Sequence, residues 1–259
     1  MVYVAIVALL YFGQERLIFP STTLPPDHKF AFDNDRFEEM RINVPGATLH
    51  ALHFMQPAPR GLVFFLHGNG GDLSTWTTGT GFYRRVNYDL FIVDYRGYGL
   101  STGRIESEAQ LHADVRAMWN AIAPYYRDRS LPIVIYGRSL GTGLAAPLAR
   151  DVDPALLILV SPFASLAAAS ARAYPFVPRF VLKYPLRTDT VIGEVKSPIL
   201  LVDGTRDEII PIDDSLQLMR LAKSPIDLLR IEGAGHNNIH EFPAYLDGLA
   251  TRLNQVAGH

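Results

Sequence analysis

The chain has 259 residues, of which 48% are hydrophobic and 19% charged, and this size and composition favour one large globular domain. The formal net charge of −2 and the lack of a long Lys/Arg run argue against nucleic acid as a partner. Cysteine is absent, which excludes disulfides, thiolate catalysis and cysteine-based metal sites.

The chain begins with an uninterrupted apolar run from Met1 to Phe12. A helix needs about 20 residues to span a bilayer, and the run lacks the basic start and the cleavage site of a signal peptide. Three interpretations stay open: a truncated or mis-started transmembrane anchor, an interfacial helix lying on a membrane, or a helix packed on its own domain or on a partner subunit. We expect residues 1–19 to contact a membrane surface, with the rest of the protein in the cytoplasm or the periplasm. The sequence does not determine which side of the membrane this is.

Residues 20–36 are rich in Pro, Thr and Asp and are predicted to be a linker to a domain that occupies residues 37–259. Alternating polar and apolar residues over 37–44 and 48–56, on either side of Pro45-Gly46, predict an antiparallel hairpin. Continuous apolar runs follow at 62–66, 89–93, 131–136, 155–160, 198–202 and 226–231. Helix-like segments lie between most of them, notably at 107–123, 140–150, 212–222 and 243–256. This order predicts an α/β fold with a mostly parallel sheet covered by helices on both faces.

A glycine-rich loop, His67-Gly68-Asn69-Gly70-Gly71, follows the first of these runs. Glycines leave space for backbone N–H groups to face an oxyanion that develops during acyl transfer. We predict that the N–H groups of Asn69 and Leu140 form an oxyanion hole, with Gly70 as the alternative to Asn69. His67 is predicted to shape the loop rather than to catalyse.

The run 131–136 leads into Gly137-Arg138-Ser139-Leu140-Gly141, which has the Gly-x-Ser-x-Gly pattern. After a strand and before a helix, this pattern predicts a sharp turn that exposes a nucleophilic serine at the carboxyl end of a sheet. A Cβ at either glycine would collide with the neighbouring strand or helix. Ser139 is therefore the predicted nucleophile.

The connection from 161 to 197 is the longest one and is predicted to be a small lid insertion over the serine. It contains the alanine-rich segment 165–174 and then several prolines and aromatic residues. Its apolar side chains are predicted to line an acyl pocket: Phe163, Phe176, Val177 and Phe180.

A serine hydroxyl needs a base, and the base needs a group that fixes its tautomer. The expected order after the serine is an acid and then a histidine. Asp207 follows the run 198–202 and His236 follows the run 226–231, so they are the predicted orienting carboxylate and base. Glu208, Asp203 and Asp189 stay open as alternative carboxylates. His236 and His240 have a metal-like spacing, but no third ligand is evident, so no metal and no cofactor are predicted.

Five segments together resemble the α/β-hydrolase superfamily of serine hydrolases, and in particular the small, membrane-anchored branch that includes protein depalmitoylases and related esterases. They are residues 67–70, 94–99, 137–141, 203–207 and 232–237. The resemblance implies an N-terminal membrane anchor just before a stretch similar to 14–20. This chain differs from many members of the family at Asp203, where they carry a second histidine.

The favoured function is a serine hydrolase that cleaves carboxylic esters or thioesters through Ser139, His236, Asp207 and an acyl-enzyme. The alternatives are amidase or peptidase activity on the same three residues, and a non-catalytic hydrolase-fold module that binds a membrane or a partner. The expected partner is a small-molecule or acyl-chain ester. The physiological substrate and the oligomeric state stay open.

Overall fold

The computed structural model describes residues 1–258, and its centre is a single eight-stranded sheet with the order β1-β2-β4-β3-β5-β6-β7-β8. The strands are β1 (Arg36–Val44), β2 (Ala47–Met55), β3 (Leu62–Leu66), β4 (Asp89–Val93), β5 (Ile133–Arg138), β6 (Leu156–Val160), β7 (Ile199–Gly204) and β8 (Ile226–Ile231). Strand β2 pairs antiparallel with β1 and β4, and the pairs from β4 to β8 are parallel. The predicted hairpin and the mostly parallel sheet are confirmed.

Helices cover both faces of this sheet. They are α1 (Val2–Ile18), α2 (Leu73–Trp76), α3 (Thr80–Val86), α4 (Glu108–Arg127), α5 (Thr142–Val152), α6 (Leu166–Ala173), α7 (Thr188–Val191), α8 (Ile212–Leu221) and α9 (Pro243–Ala257). One buried apolar cluster lies between the sheet and α4 and α5, and a second lies between the sheet and α3 and α9. The parallel strands are apolar on both faces because both faces are buried.

The N-terminal segment reaches the domain through α1 and the residues after it. Phe19 is buried against Tyr184, with their ring centroids 5.0 Å apart. Isolated bridges then join Ser21 to Gly71 and Thr23 to Gly99. Residues 20–35 therefore run along the domain surface and reach the loops at the carboxyl ends of β3 and β4.

Candidate active site

Ser139 lies in a strained turn between β5 and α5. Its φ angle is +50°, in the left-handed region that non-glycine residues rarely adopt. A Cβ on Gly137 would lie 2.7 Å from the carbonyl oxygen of Gly141. A Cβ on Gly141 would lie 2.1 Å from the carbonyl oxygen of Leu66 on β3. The two glycines thus allow the helix to start directly against the sheet, and the turn projects Ser139 beyond it.

Three side chains from distant segments meet at this turn. His236 Nε2 lies 3.0 Å from Ser139 Oγ, and His236 Nδ1 lies 2.8 Å from Asp207 Oδ2. Asp207 follows β7 and His236 follows β8, so adjacent parallel strands deliver both to the same edge. The structure therefore brings together the three residues that motif order had singled out.

The surroundings of Asp207 favour its charged form. Burial by itself raises the pKa of this carboxyl, but hydrogen bonds from His236 and from the N–H of Ile210 outweigh it, so the pKa lies below its ordinary value. Its Oδ1 accepts from the N–H groups of Ile209 and Ile210 at 2.9 and 2.8 Å. Oδ2 is left to receive the Nδ1–H of His236, which makes Nε2 the acceptor for the hydroxyl of Ser139.

The glycine-rich loop lies beside the serine. A Cβ on Gly68 would lie 3.6 Å from the Cβ of Ser139. The carbonyl of Gly68 accepts a 2.7 Å hydrogen bond from Nδ1 of the buried His67. Because a trans peptide directs its C=O and N–H in opposite directions, this bond fixes the direction of the Asn69 N–H. Within residues 1–258 that N–H has no hydrogen-bond acceptor.

Trp76 and Arg138 connect this loop to the histidine loop. Trp76 donates from Nε1 to the carbonyl of Gly70 at 2.7 Å. The guanidinium of Arg138 lies 5.2 Å from the centre of the Trp76 ring and donates to the carbonyl oxygens of His236 and Asn237. Sequence reasoning missed both residues. The position of Arg138 inside Gly-x-Ser-x-Gly could have indicated a role for it. Trp76 lies 62 positions from Arg138, so no local sequence pattern indicated their contact.

Ser139 and His236 open into a cavity of about 940 Å³. Its mouth is formed by the glycine-rich loop, Trp76, Arg138 and His240, and it extends between α3 and α9. The lining residues come from strands β3, β4 and β5, from the loops after β3, β5, β7 and β8, from α2 and from these two helices.

The four residues predicted to line an acyl pocket lie elsewhere, and this prediction needs correction. Phe163 is buried against Gly143 of α5, and Val177 lines a separate groove together with α1. Phe176 and Phe180 are exposed. None of the described residues in 161–197 lines the cavity at Ser139. The physical reason is that the insertion packs against α1 rather than over the serine.

The structure places His240 at the mouth of the cavity, with Glu241 as its neighbour in the chain. No group of three or more His, Asp or Glu side chains within residues 1–258 is arranged to hold a metal ion. Desolvation and the nearby charge of Arg138 lower the pKa of His240 and outweigh the charge of Glu241, so this imidazole is neutral near pH 7.

Asp203 is a fully buried carboxyl at the end of β7. Burial raises its pKa to about 7, a hydrogen bond from Ser215 opposes the rise, and the neighbouring charges of Asp207 and Asp214 add to it. In the unfolded chain the carboxyl titrates near its ordinary pKa of 3.8. Between these values the folded protein holds a proton that the unfolded chain has lost, so stability falls as pH rises from about 4 to about 7 and then levels off.

We therefore expect Asp203→Asn to be more stable than the wild type at pH 8, by at most about 4 kcal/mol, and nearly equal to it below pH 4. The measurement is the free energy of unfolding in urea at pH 4, 5, 6, 7 and 8 for both proteins. Parallel pH profiles for the two would show that Asp203 does not titrate in this range.

Comparisons with known proteins agree with this architecture. A family model described as serine aminopeptidase, S33, matches residues 57–191. The chain is 33% identical over 202 residues to alpha/beta hydrolase domain-containing protein 17B of Homo sapiens, an alignment that covers 77% of this chain and 68% of the human protein. It is 34% identical over 204 residues to alpha/beta hydrolase domain-containing protein 17C of Mus musculus, covering 78% of this chain and 61% of the mouse protein.

Solved structures show the same fold. An esterase of Pyrococcus furiosus superposes with a TM-score of 0.71 at 18% identity and covers 91% of this chain and 98% of its own. A soluble variant of monoglyceride lipase from Saccharomyces cerevisiae superposes with a TM-score of 0.68 at 16% identity and covers 90% and 99%. The family model extends over half of the chain, and the human relative exceeds 30% identity over most of it. The chain is therefore a hydrolase that belongs to the α/β-hydrolase superfamily of serine hydrolases.

Proposed function

We propose that the protein cleaves carboxylic esters or thioesters through an acyl-enzyme on Ser139. The observation that carries this proposal is the continuous hydrogen-bonded line from Asp207 through His236 to Ser139 at the mouth of the cavity. A hydroxyl in this arrangement can lose its proton to the imidazole as it attacks a carbonyl carbon.

In the proposed reaction, Ser139 Oγ attacks the carbonyl and its proton moves to Nε2 of His236. The N–H groups of Asn69 and Leu140 stabilise the oxyanion, since both lie at the ends of segments that border Ser139. The imidazolium then protonates the leaving alcohol or thiol. Water activated by His236 hydrolyses the acyl-enzyme, and no metal or cofactor is needed.

Amide hydrolysis is the second candidate, because the matching family model is described as serine aminopeptidase. An aminopeptidase must bind the free α-ammonium group of its substrate, and a carboxylate is the natural partner for that charge. The described residues that line the cavity include no Asp or Glu, although Arg85 and Arg138 are among them. This charge pattern favours a neutral or anionic ester over a peptide with a free amino terminus.

The test combines active-site labelling with three chromogenic substrates. A fluorophosphonate should label the wild type at Ser139, located by peptide mass spectrometry. p-Nitrophenyl butyrate and a butyryl thioester should be hydrolysed, and alanine p-nitroanilide should be hydrolysed far more slowly. Faster turnover of the anilide would reverse the preference in favour of an aminopeptidase. Labelling without turnover of any of the three would contradict the proposed hydrolysis.

We further propose that α1 lies on a membrane surface together with the tip of the insertion. Within residues 1–258, no helix has both the length and the hydropathy that crossing a membrane requires. The large apolar side chains that the described residues expose concentrate on α1 and on residues 174–180, and only Tyr125, Ile209 and Leu221 lie elsewhere. Leu9 and Phe12 are 76% and 79% exposed, and Phe180 is 84% exposed.

Polar contacts hold the second half of α1 against the insertion. The side chain of Gln14 is buried, donates to the carbonyl of Val181 and accepts from the N–H of Lys183 at 2.8 Å. Glu15 pairs with the ammonium of Lys183 at 3.0 Å. These contacts keep the exposed parts of both segments in one body, which supports their acting as one surface.

Replacing Leu9 and Phe12 together by serine is expected to weaken binding to phosphatidylcholine vesicles by about 100-fold. Each large apolar side chain removed from the bilayer forfeits at least about 1.5 kcal/mol. The measurement is co-sedimentation with increasing lipid, and turnover of soluble esters should not change.

Leu221→Ser is the matched control, because Leu221 is also an exposed leucine on a helix but lies outside this surface. Equal loss of vesicle binding in the control would remove the specific role of α1. No loss in the double variant would contradict membrane contact through α1.

A further inference from the structure

We propose that the inner part of the cavity, between α3 and α9, is the pocket that receives the acyl chain of the substrate. This inference rests on the proposed function and locates its acyl site on the opposite side from the insertion 161–197. The inner part is lined by side chains of the sheet and of the two helices. They are Phe65, Phe82, Tyr83, Leu90, Tyr136, Tyr245, Leu246 and Leu249.

The cavity follows the sheet away from Ser139. Gly68 lies at the mouth, and Leu90 at the inner end pairs with Val63, which precedes Gly68 by five residues. At about 3.3 Å per residue, this separation along the strand is roughly 16 Å. A cavity of this shape accommodates an extended chain better than a compact group.

Arg85 of α3 is exposed, and apart from it the inner lining carries no charged side chain. Burial raises the pKa of both Tyr136 and Tyr245, so their phenols are neutral, and the two hydroxyl groups are hydrogen-bonded to each other. The other inner residues are apolar, apart from the phenol of Tyr83, whose pKa burial also raises. Such a surface binds methylene groups and disfavours ions.

The two ends of the cavity differ in exposure, and this difference indicates which end binds the acyl chain and which end binds the leaving group. The inner end is bounded by Leu90 and Leu249, both 2% exposed, whereas His240 and Asn237 at the mouth are exposed. After acylation the leaving group must depart and water must enter, while the acyl group stays on Ser139. The buried inner end therefore suits the acyl chain, and the exposed mouth suits the leaving group.

Leu246, Phe82 and the exposed Arg85 form the wall between this cavity and a separate surface groove of about 360 Å³, because all three residues line both spaces. Leu246 is half-buried on α9. A smaller side chain at this position should join the two spaces, and a larger one should fill the inner cavity. One position can therefore change the acyl preference in both directions.

The experiment measures kcat/KM for p-nitrophenyl esters from acetyl to palmitoyl with the wild type, Leu246→Ala and Leu246→Trp. The wild-type value should rise about fourfold per methylene until the pocket is full. Leu246→Trp should lose at least tenfold on the longest acyl chain that the wild type prefers and much less on acetate. Leu246→Ala should move the optimum to longer chains.

Val256→Ala and Val256→Trp are the matched controls. Val256 is half-buried on α9 and packs against the same apolar cluster, but it lines neither space. Both controls should keep the wild-type optimum. Circular dichroism at the assay temperature verifies that each variant is folded, and a shift of the optimum in the Val256 variants equal to that in the Leu246 variants would overturn the proposal.

Two further series separate this inference from the proposed function. Alkylphosphonofluoridates of graded alkyl length report occupancy of the pocket through the rate of Ser139 labelling, with no need for turnover. Length-dependent labelling that Leu246→Trp abolishes supports the pocket even if no ester is hydrolysed. Ester hydrolysis that does not depend on acyl length in any of the proteins would contradict the acyl pocket but not the hydrolase activity. Absence of labelling at every alkyl length would contradict both proposals. If Leu246→Trp instead alters the preference among acetates of longer alcohols, the cavity receives the leaving group and the acyl assignment is wrong.

Discussion

Replacing Ser139 by alanine is expected to lower kcat on p-nitrophenyl butyrate by about 10⁶-fold. The variant loses the proposed nucleophile, while the N–H groups of the glycine-rich loop and the cavity remain. The residual rate should therefore stay above that of the uncatalysed reaction. Steady-state kinetics with active-site titration is the measurement, and labelling of the variant by the fluorophosphonate at the wild-type rate would exclude Ser139 as the nucleophile.

A second substitution separates the chemistry of Ser139 from its backbone strain. The left-handed φ of +50° costs about 1–3 kcal/mol for a residue with a Cβ. Ser139→Gly should therefore be inactive but more stable than Ser139→Ala, because glycine adopts this conformation without strain. Thermal or urea unfolding of the two inactive variants gives the comparison. Equal stabilities would mean that the turn is not strained.

Replacing Asp207 by asparagine is expected to lower kcat by about 10⁴-fold. The asparagine oxygen can still accept from the N–H groups of Ile209 and Ile210, which leaves its NH₂ group facing Nδ1 of His236. That arrangement selects the tautomer with a proton on Nε2, and this nitrogen can no longer accept the proton of Ser139. KM should change little, since Asp207 does not line the cavity.

Asp203→Asn is the matched control for this variant. Asp203 is also a buried carboxyl at the end of β7, but its hydrogen bond is to Ser215 and not to the histidine. The control should keep nearly full activity. If it is the inactive one and Asp207→Asn is active, the orienting carboxylate has been assigned to the wrong residue.

The parts of the molecule that were predictable from sequence are those fixed by local chemistry. The buried strands appear as apolar runs because each is covered on both faces. The turn at Ser139 was predictable because Gly137 and Gly141 are required by contacts within a few residues or with the adjacent strand. The placement of Asp207 and His236 followed from the topology, since parallel strands end at the same edge of the sheet.

The insertion shows where this reasoning fails. An exposed aromatic side chain such as Phe180 is equally consistent in sequence with an acyl pocket, a membrane surface or a contact with another segment. The choice depends on where α1 docks, which is a contact between residues more than 160 positions apart. The short helices α2 and α3 carry too few residues for a periodic pattern, so the wall that they form around the cavity was not predictable either.

The contact of Gln14 with the insertion determines how a soluble form of this protein should be made. A chain shortened to begin at residue 20 would leave the carbonyl of Val181 and the N–H of Lys183 without their amide partner, and would uncover the apolar groove in which Val177 lies. Such a chain would lose the exposed apolar face of α1 but expose the apolar groove that α1 covers. We expect it to aggregate in the absence of detergent. Polar substitutions at the outward-facing positions of an intact first helix should preserve the native contacts and improve solubility.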